Sequence, residues 1–452
     1  MTAGTRPRRV AVVGAGPAGL FAADALASQS DVDVDVVERL PTPYGLVRYG
    51  VAPDHPTIKS VVHTLQRVLD HERIRFIGGI EVGRDILRAD LLECYDAVVY
   101  TTGAAIDRRL GIPGEDLPGS VSATEFVSWY NGHPDFERGL PLDAESVAVI
   151  GAGNVALDVG RILVRPREHL ARTDVPASVL ARWNENRTLD VHVIGRRGPE
   201  HAKFSSKELR ELGLIAEVDR VVRPADLVGA HEPTADRRTR ANLDLLREWS
   251  AGVPRPSARK VRFRFFRTPV EIIGRTRVEA VRLERLTVDG SGATAGTGEF
   301  ETIPVQLVVR AVGYRSAALP GLPFDAAGGV IPHNGGRIVD GAGVPLPGEY
   351  VAGWAKRGAT GVIGTNKSDA RETVSALLDD LATTAAKRPA GQRIEDVLAA
   401  GPARWIDHEG WRRIDREELG RGAREGRARS KIPDWATLTD IALRATAERF
   451  PD

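Results

Sequence analysis

Continuous apolar runs that each stop at a glycine turn set the pattern of this chain. The first is VAVV in RRVAVVGAGPAGLFAADALASQ. Four apolar residues without alternation predict a parallel strand buried on both faces. A glycine turn follows, and then Leu20, Ala23 and Ala27 recur at helical spacing. VDVDVVE supplies a second strand ending at Glu38, which completes a βαβ unit. Strand patterns return at RIRFIGG and YDAVVYTTGA. After the Pro/Gly-rich IPGEDLPGS the pattern restarts: SVAVIGAGNVALDVGRILV repeats strand, turn and helix, and LDVHVIGRRG adds the next strand. RFRFFRTPVEIIG, RVEAVRLERLTV and IPVQLVVRAVGYRS predict further strands of this second unit. EYVAGWAKRGATGVIGTNKSDA reads as strand, loop and helix, and a helical, Ala-rich tail follows.

Two such units predict an α/β protein with two Rossmann-like dinucleotide-binding domains. The late strand-to-loop segment VAGWAKRG has the form to rejoin the first sheet, so the second domain is expected to be inserted in the first. The predicted boundaries are 1–105 and 325–452 for the first domain and 106–324 for the second. Hinges are expected near Ala104–Arg109 and Leu319–Asp325. The polar stretch Leu170–Thr188 and the tail carry no recognisable motif.

Composition narrows the function classes. With 62 basic and 61 acidic residues among 452, no global field draws the chain to nucleic acid or membrane. A charged partner must be met by a local patch. The single cysteine, Cys94, excludes an internal disulfide, a redox CxxC pair and a four-cysteine iron–sulfur site. It leads into an apolar strand and reads as a small buried hydrophobe. No metal-ligand constellation is evident. The N-terminus lacks the form of a secretory signal, and no apolar run nears the ~18–20 residues of a membrane span. The expectation is a soluble, cytoplasmic protein.

Gly14, Gly16 and Gly19 form G-x-G-x-x-G between strand and helix. In that fingerprint the first glycine makes the tight turn, the second lets backbone approach a pyrophosphate, and the third lets helix and strand pack. The anion sits on free N–H groups at the positive helix end. Glu38, some twenty residues on, stands where a carboxylate holds ribose hydroxyls. The competing reading is a glycine turn without a ligand. The second turn keeps Gly151 and Gly153 and has Ala156 at the third position, which the fingerprint tolerates. Here the strand ends in Arg196-Arg197 instead of an acid. Planar guanidinium forks bind a phosphate dianion bidentately, so the pair reads as a site for the extra ribose phosphate of NADP. A solvated charged turn is the bland alternative. Asn154 and Asp158 follow on the helix. Asp158 either points away from a pyrophosphate or serves the nicotinamide end. Ser205 and Glu208 match a capping box, a role that needs no ligand and excludes none.

GAGPAGL, LPTPYGLVRYGVAPDHP, IPGEDLPGS, GAGNVALD, IGRRG and GWAKRGATGVIGTNKS together resemble the adrenodoxin reductase family. These are FAD-containing NADPH–ferredoxin reductases with a glutathione-reductase-like fold. The resemblance runs from about Val10 to at least Ala370. It implies FAD contacts at Ala18, Glu38, Leu46, Val82, Trp354, Gly361, Val362 and Ile363. It implies NADP(H) contacts at Arg108, Gly153, Asn154, Val155, Ala156, Arg196, Arg197, Glu208 and Gly361. His55 matches a family histidine near the flavin, proposed to exchange protons with an acid such as Asp158 or Glu211.

The implied activity is hydride transfer from NADPH to flavin and single-electron transfer to a ferredoxin. Because ferredoxins are usually acidic, Arg237, Arg238 and Arg240 are the expected docking patch, with a solvated helix end as the alternative. Competing activities are an electron-input subunit of a larger flavoprotein complex and a flavin-bound module without turnover. A thioredoxin-reductase-like enzyme lacks its required cysteine pair here.

Overall fold

A computed structural model describes residues 7–444 except 30, 137–139, 229–235, 254, 256–257, 290–292 and 385–392. Part of the Ala-rich tail, 385–392 and 445–452, thus lies outside the described residues. The chain divides into two compact units, residues 1–106 with 314–452, and residues 107–313.

Among the described residues the first unit is built on a seven-stranded sheet. Its order is His333–Asn334, Arg337–Val339, Pro345–Val351, Ala97–Tyr100, Arg8–Val13, Val32–Glu38, Ile74–Gly78. The last five are mutually parallel, with Val10 opposite both Val34 and Ala97. Period-two alternation sends Val10, Val12, Val34 and Val36 to one core with Leu20, Phe21 and Leu26. It sends Ala11, Val13, Val37 and Val98 to the other. Cys94 is buried in that second core, where burial pushes its thiol up to about 11. The helix Thr365–Thr383 supplies Ala370, Val374 and Leu377 to the first core, beside the helix Pro17–Ala27. The tail, unreadable as a motif, adds Trp411 and Ile414 from the helix His408–Arg424 and Leu438 and Ile441 from Trp435–Leu443. Ile406 exchanges two backbone hydrogen bonds of 2.8 Å with Gly78, so the tail also covers the sheet edge.

The second unit has a six-stranded parallel sheet in the order Ser120–Ser122, Leu307–Arg310, Ser146–Ile150, Asp190–Ile194, Arg259–Arg264, Val218–Val222. A separate antiparallel sheet, Arg267–Ile273, Ala280–Val288 and Thr294–Pro304, packs Ile272, Val281, Leu283 and Ile303 on Ala148, Ile150 and Ile194. The apolar run RFRFFRTPVEIIG is therefore two strands in two sheets. Phe266 divides them with φ +53°, a left-handed turn that side-chain pattern alone does not signal. Thr294–Pro304 escaped the sequence pattern because it is polar and mostly exposed; its partner strand carries it. Leu170–Thr188 contains the short helix Ala177–Arg182, whose Val179 and Leu180 are buried.

Residues 314–324, expected in the second domain, belong to the first unit. Ser316 donates its hydroxyl to Gly103 O at 2.7 Å, and Leu319, Leu322 and Phe324 pack on the first unit's core. The second crossing accordingly falls at 313/314, ahead of the expected hinge at Leu319–Asp325.

The three glycines of the first turn differ in what replaces them. A Cβ at Gly19 would lie 1.9 Å from Gly14 O, whereas a Cβ at Gly16 meets nothing within 4 Å. Gly19→Ala should therefore destabilise the protein by about 2 kcal/mol or more, and Gly16→Ala should not. Thermal unfolding of the two apoproteins measures the difference.

Candidate functional site

The first turn is held open from several sides. Gly14 has φ +108°, and a Cβ there would press on Thr101 O at 2.8 Å. Thr101 donates its hydroxyl to Val13 O and Gly14 O, at 2.9 and 3.0 Å, so these carbonyls are satisfied away from the helix start. The first-turn N–H groups of Pro17–Ala27 have no intrahelical acceptor and face the space beside Gly16. Glu38 accepts from Ala15 N at 2.7 Å and Leu40 N at 3.0 Å. Burial raises its carboxyl above the ordinary range, opposed by those backbone donors.

Tyr44 and Gly45 close the other side. Tyr44 donates its N–H to Ala15 O at 2.9 Å, and a Cβ on Gly45 would lie 3.1 Å from the Gly16 Cα. Tyr44 is held at φ +81°, which costs a bulky residue about 1–3 kcal/mol. The next residue, Leu46, opens a one-turn helix and is 44% exposed beside this turn. His55 lies at the end of the same loop, buried, with its carbonyl accepting from Ile58 N and Lys59 N. Val82 is half-buried on the second core, close in chain to Ile80, whose N–H bonds Glu38 O.

The returning segment reaches the turn through Gly353, where a Cβ would lie 2.5 Å from the Ala18 Cβ. Asp369 gathers this bend: its carboxylate accepts from Gly353 N, pairs with Arg357 at 3.1 Å and with the buried Lys356 at 3.3 Å. Trp354 stacks on Tyr314 at 6.2 Å and donates its indole N–H to Thr360 O. Val362 is 71% exposed, Gly361 is exposed at φ +85°, and Ile363 packs against the core. The structure thus collects Ala18, Glu38, Leu46 and Trp354 around one helix start.

The second unit repeats the device. A Cβ at Gly151 would meet Ala311 O at 2.3 Å, one at Gly153 meets nothing within 4 Å, and Ala156 is fully buried. Gly151 N donates to Ile194 O, and a Cβ at Gly195 would lie 3.2 Å from the Ala152 Cβ, a tight contact. Arg196 is exposed and Arg197 half-buried directly after it, and neither guanidinium has a hydrogen bond or ion pair among the described residues. Asn154 accepts from Ser205 N at 2.7 Å, and Lys203 N bonds Ala152 O, which adds an exposed lysine to the turn's surroundings. Ser205 caps the helix Ser206–Gly213 by accepting from Glu208 N. Its hydroxyl also bonds the buried Glu208 carboxylate, so the capping role is present. Val155 follows Asn154 half-buried in the helix Asn154–Val164. Asp158 is ion-paired at 2.7 Å with Arg161, whose side chain is fully buried, and Glu211 pairs with Lys207 at 3.9 Å. Arg108 is exposed, its N–H on Gly313 O. Arg237, Arg238 and Arg240 are exposed in the first turn of Arg237–Ala251.

Comparison with known proteins gives the same answer. The pyridine nucleotide-disulphide oxidoreductase family matches residues 8–223. NADPH-ferredoxin reductase FprA of Mycobacterium tuberculosis is 45% identical, with 97% of this chain and all of that protein covered. This chain belongs to the adrenodoxin reductase family. The mitochondrial NADPH:adrenodoxin oxidoreductase of Arabidopsis thaliana is 38% identical over 98% of this chain and 96% of its own. The solved structure of Mycobacterium tuberculosis FprA in complex with NADPH superposes with a TM-score of 0.92 at 44% identity, covering 97% and 100% of the two chains. The two-domain, doubly wound fold is that of the family.

Three positioning residues of this adrenodoxin reductase relative were missed in sequence: Thr101, Tyr44 and Asp369. None lies in a glycine fingerprint. Only PYG before an apolar helix hinted at a special turn, and the sign of φ at Tyr44 is not written in residue type. Both open glycine cradles fit a dinucleotide pyrophosphate, since backbone donors and free space coincide at each. Gly16→Val should leave apoprotein unfolding unchanged and abolish retained flavin colour. Gly153→Val should keep the colour and weaken NADPH binding at least tenfold, measured by equilibrium titration.

Proposed function

We propose that this chain is an NADPH–ferredoxin reductase, with FAD held by the first unit and NADP(H) by the second. The observation that carries the nucleotide choice is the unpartnered pair Arg196 and Arg197, set beside an open glycine turn. In the first unit the corresponding strand ends in the acid Glu38. An acid favours ribose hydroxyls; two guanidiniums favour a phosphate on that ribose.

Bound FAD supplies the redox chemistry, accepting a hydride from a nicotinamide and delivering electrons singly to an iron–sulfur protein. The chain's own residues bind and orient. Ala18 and the neighbouring N–H groups receive the FAD pyrophosphate, Glu38 the ribose hydroxyls, and Leu46, Val82, Trp354 and Gly361–Ile363 bound the remainder. Gly153–Ala156, Arg108, Arg196, Arg197 and Glu208 serve the nicotinamide nucleotide. His55 in the first unit and the acids Asp158 and Glu211 in the second are the proton-handling candidates. Both acids also balance a cation, Asp158 the buried Arg161 and Glu211 Lys207.

The electron acceptor is an acidic ferredoxin met at Arg237, Arg238 and Arg240. What supports this surface is its placement: three exposed arginines crowd the positive end of a helix, where the N-cap Asp236 offsets Arg238 at 3.8 Å. An external acidic partner meets the positive charge that is left. No described helix is long and apolar enough to cross a membrane. With the reductase reading, this favours the cytoplasm.

Replacing Arg196 and Arg197 by Ala should raise KM for NADPH strongly and leave that for NADH nearly unchanged. Hydrogen bonds to charged groups contribute ~1.5–3 kcal/mol each, so the NADPH/NADH preference should fall by about one to several powers of ten. The phosphate is remote from the reacting ring, so kcat should move less than KM. A preference ratio that stays at the wild-type value refutes the NADP assignment.

Replacing Arg237, Arg238 and Arg240 by Ala should slow ferredoxin reduction and flatten its salt dependence, while ferricyanide reduction holds. Steering between exposed charges is screened over ~10 Å at 0.1 M salt. Loss of both activities together assigns the arginines to folding or to NADPH.

A further inference from the structure

The tail beyond Ala399 carried no motif, yet it places a buried charge cluster behind the loop that closes the first turn. Glu418, in His408–Arg424, is fully buried. Its carboxylate accepts from both terminal nitrogens of Arg48, at 2.9 and 2.5 Å, from Arg429 at 2.8 Å and from Ile432 N at 2.9 Å. Burial works against its charge, but Arg48 and Arg429 hold the carboxyl below its ordinary range. Arg48, also buried, belongs to the one-turn helix Leu46–Tyr49, and its carbonyl accepts from the buried Lys431 at 2.9 Å. The Arg48 guanidinium lies over Trp411 at 5.5 Å, and Trp411 meets the Tyr44 ring edge-on at 5.6 Å. Tyr44 and Trp411 share a third partner, Gln66, which accepts from the phenol and from the indole N–H.

We propose that Glu418 is a positioning residue for the dinucleotide turn: through Arg48 and Trp411, the C-terminal helices press Tyr44–Gly45 against Gly16. A left-handed tyrosine persists only where its surroundings over-determine it. Here the constraints are the N–H bond to Ala15 O, the ring seated on Trp411 and the phenol bond to Gln66. If the cluster is broken, Tyr44 relaxes toward negative φ, its N–H leaves Ala15, and Gly45 withdraws from Gly16. The wall of the cradle then opens, although the sheet and helix beneath it stay intact. A buried ion pair adds little net stability compared with an apolar pair of similar volume, but it fixes direction. Direction is what the strained turn requires.

The proposal rests on the reading that the Gly14–Gly19 turn holds FAD, and the test separates the two. FAD release from the holoenzyme is followed by the fluorescence of freed flavin, beside thermal unfolding. Glu418→Gln should release FAD at least about tenfold faster than wild type, with KM for NADPH unchanged. Because Glu418→Gln also removes the counter-charge of the buried Arg48 and so lowers stability, the double variant Arg48→Met, Glu418→Met is measured in parallel. Its apolar pair, with Arg429 still held by Asp415, should recover part of the unfolding temperature lost in Glu418→Gln while FAD release stays fast. A role in stability alone predicts that release slows toward the wild-type rate in step with that recovery; that result, or a wild-type rate in Glu418→Gln, overturns the proposal. Gly16→Val is the control on the underlying reading. If it retains full flavin, the FAD assignment of the turn fails; if it is empty while both cluster variants release FAD at the wild-type rate, only the role of Glu418 fails.

Discussion

A helix start kept free of acceptors, pressed against the end of a parallel strand, is the constraint both units serve. It demands close approach: Gly19 leaves only hydrogen-sized space over Gly14 O, and Gly151 the same over Ala311 O. It also demands that nearby carbonyls be occupied elsewhere, which the Thr101 hydroxyl does for Val13 and Gly14. What remains is a set of backbone donors at a positive helix end, with open space at Gly16 and Gly153. The two units then differ at one place, the end of the neighbouring strand. Glu38 stands there in one and Arg196-Arg197 in the other, and that difference in charge is the ground for the proposed division between a ribose and a ribose phosphate.

Keeping such a cradle in shape has costs that fall elsewhere in the first unit. Tyr44 sits in a conformation that costs about 1–3 kcal/mol, and desolvation works against the charge of Glu38. Lys356 is buried against Asp369 where Gly353 approaches Ala18, and Arg48 against Glu418 behind Tyr44. Both clusters lie directly behind a backbone bend that faces the turn. Removing Glu418 would leave Arg48 an uncompensated buried charge, whereas Lys356, Asp369 and Glu418 each keep a second ion-pair partner, so it is the Tyr44 bend that is tied to a residue far along the chain.

Much of this was legible in the residues. The runs VAVV and SVAVI, each followed by glycines and a helical pattern, determine two dinucleotide units, because a strand buried on both faces must be apolar throughout and a turn at positive φ pressed on a neighbouring carbonyl has room only for glycine. The motif LPTPYGLVRYGVAPDHP pointed to the family for which identity over almost the whole chain now speaks. The contrast between Glu38 and Arg196-Arg197 needed only the strand ends. The strand boundary at Phe266, the place of residues 314–324 and the strand Thr294–Pro304 were not legible, since each depends on a partner distant in sequence.

The tail makes the division plain. Residue by residue, His408–Arg424 is a charged helix of unremarkable pattern, and Glu418 is one acid among several. Local sequence determined that it would be a helix. Only the tertiary structure decided that Glu418 would be buried, because one of the two cations that compensate it, Arg48, lies 370 residues away. Local pattern reports what a residue requires of its neighbours in the chain: spacing, φ, a cap. Burial of charge is decided by neighbours in space, and those are set when the sheet is already built.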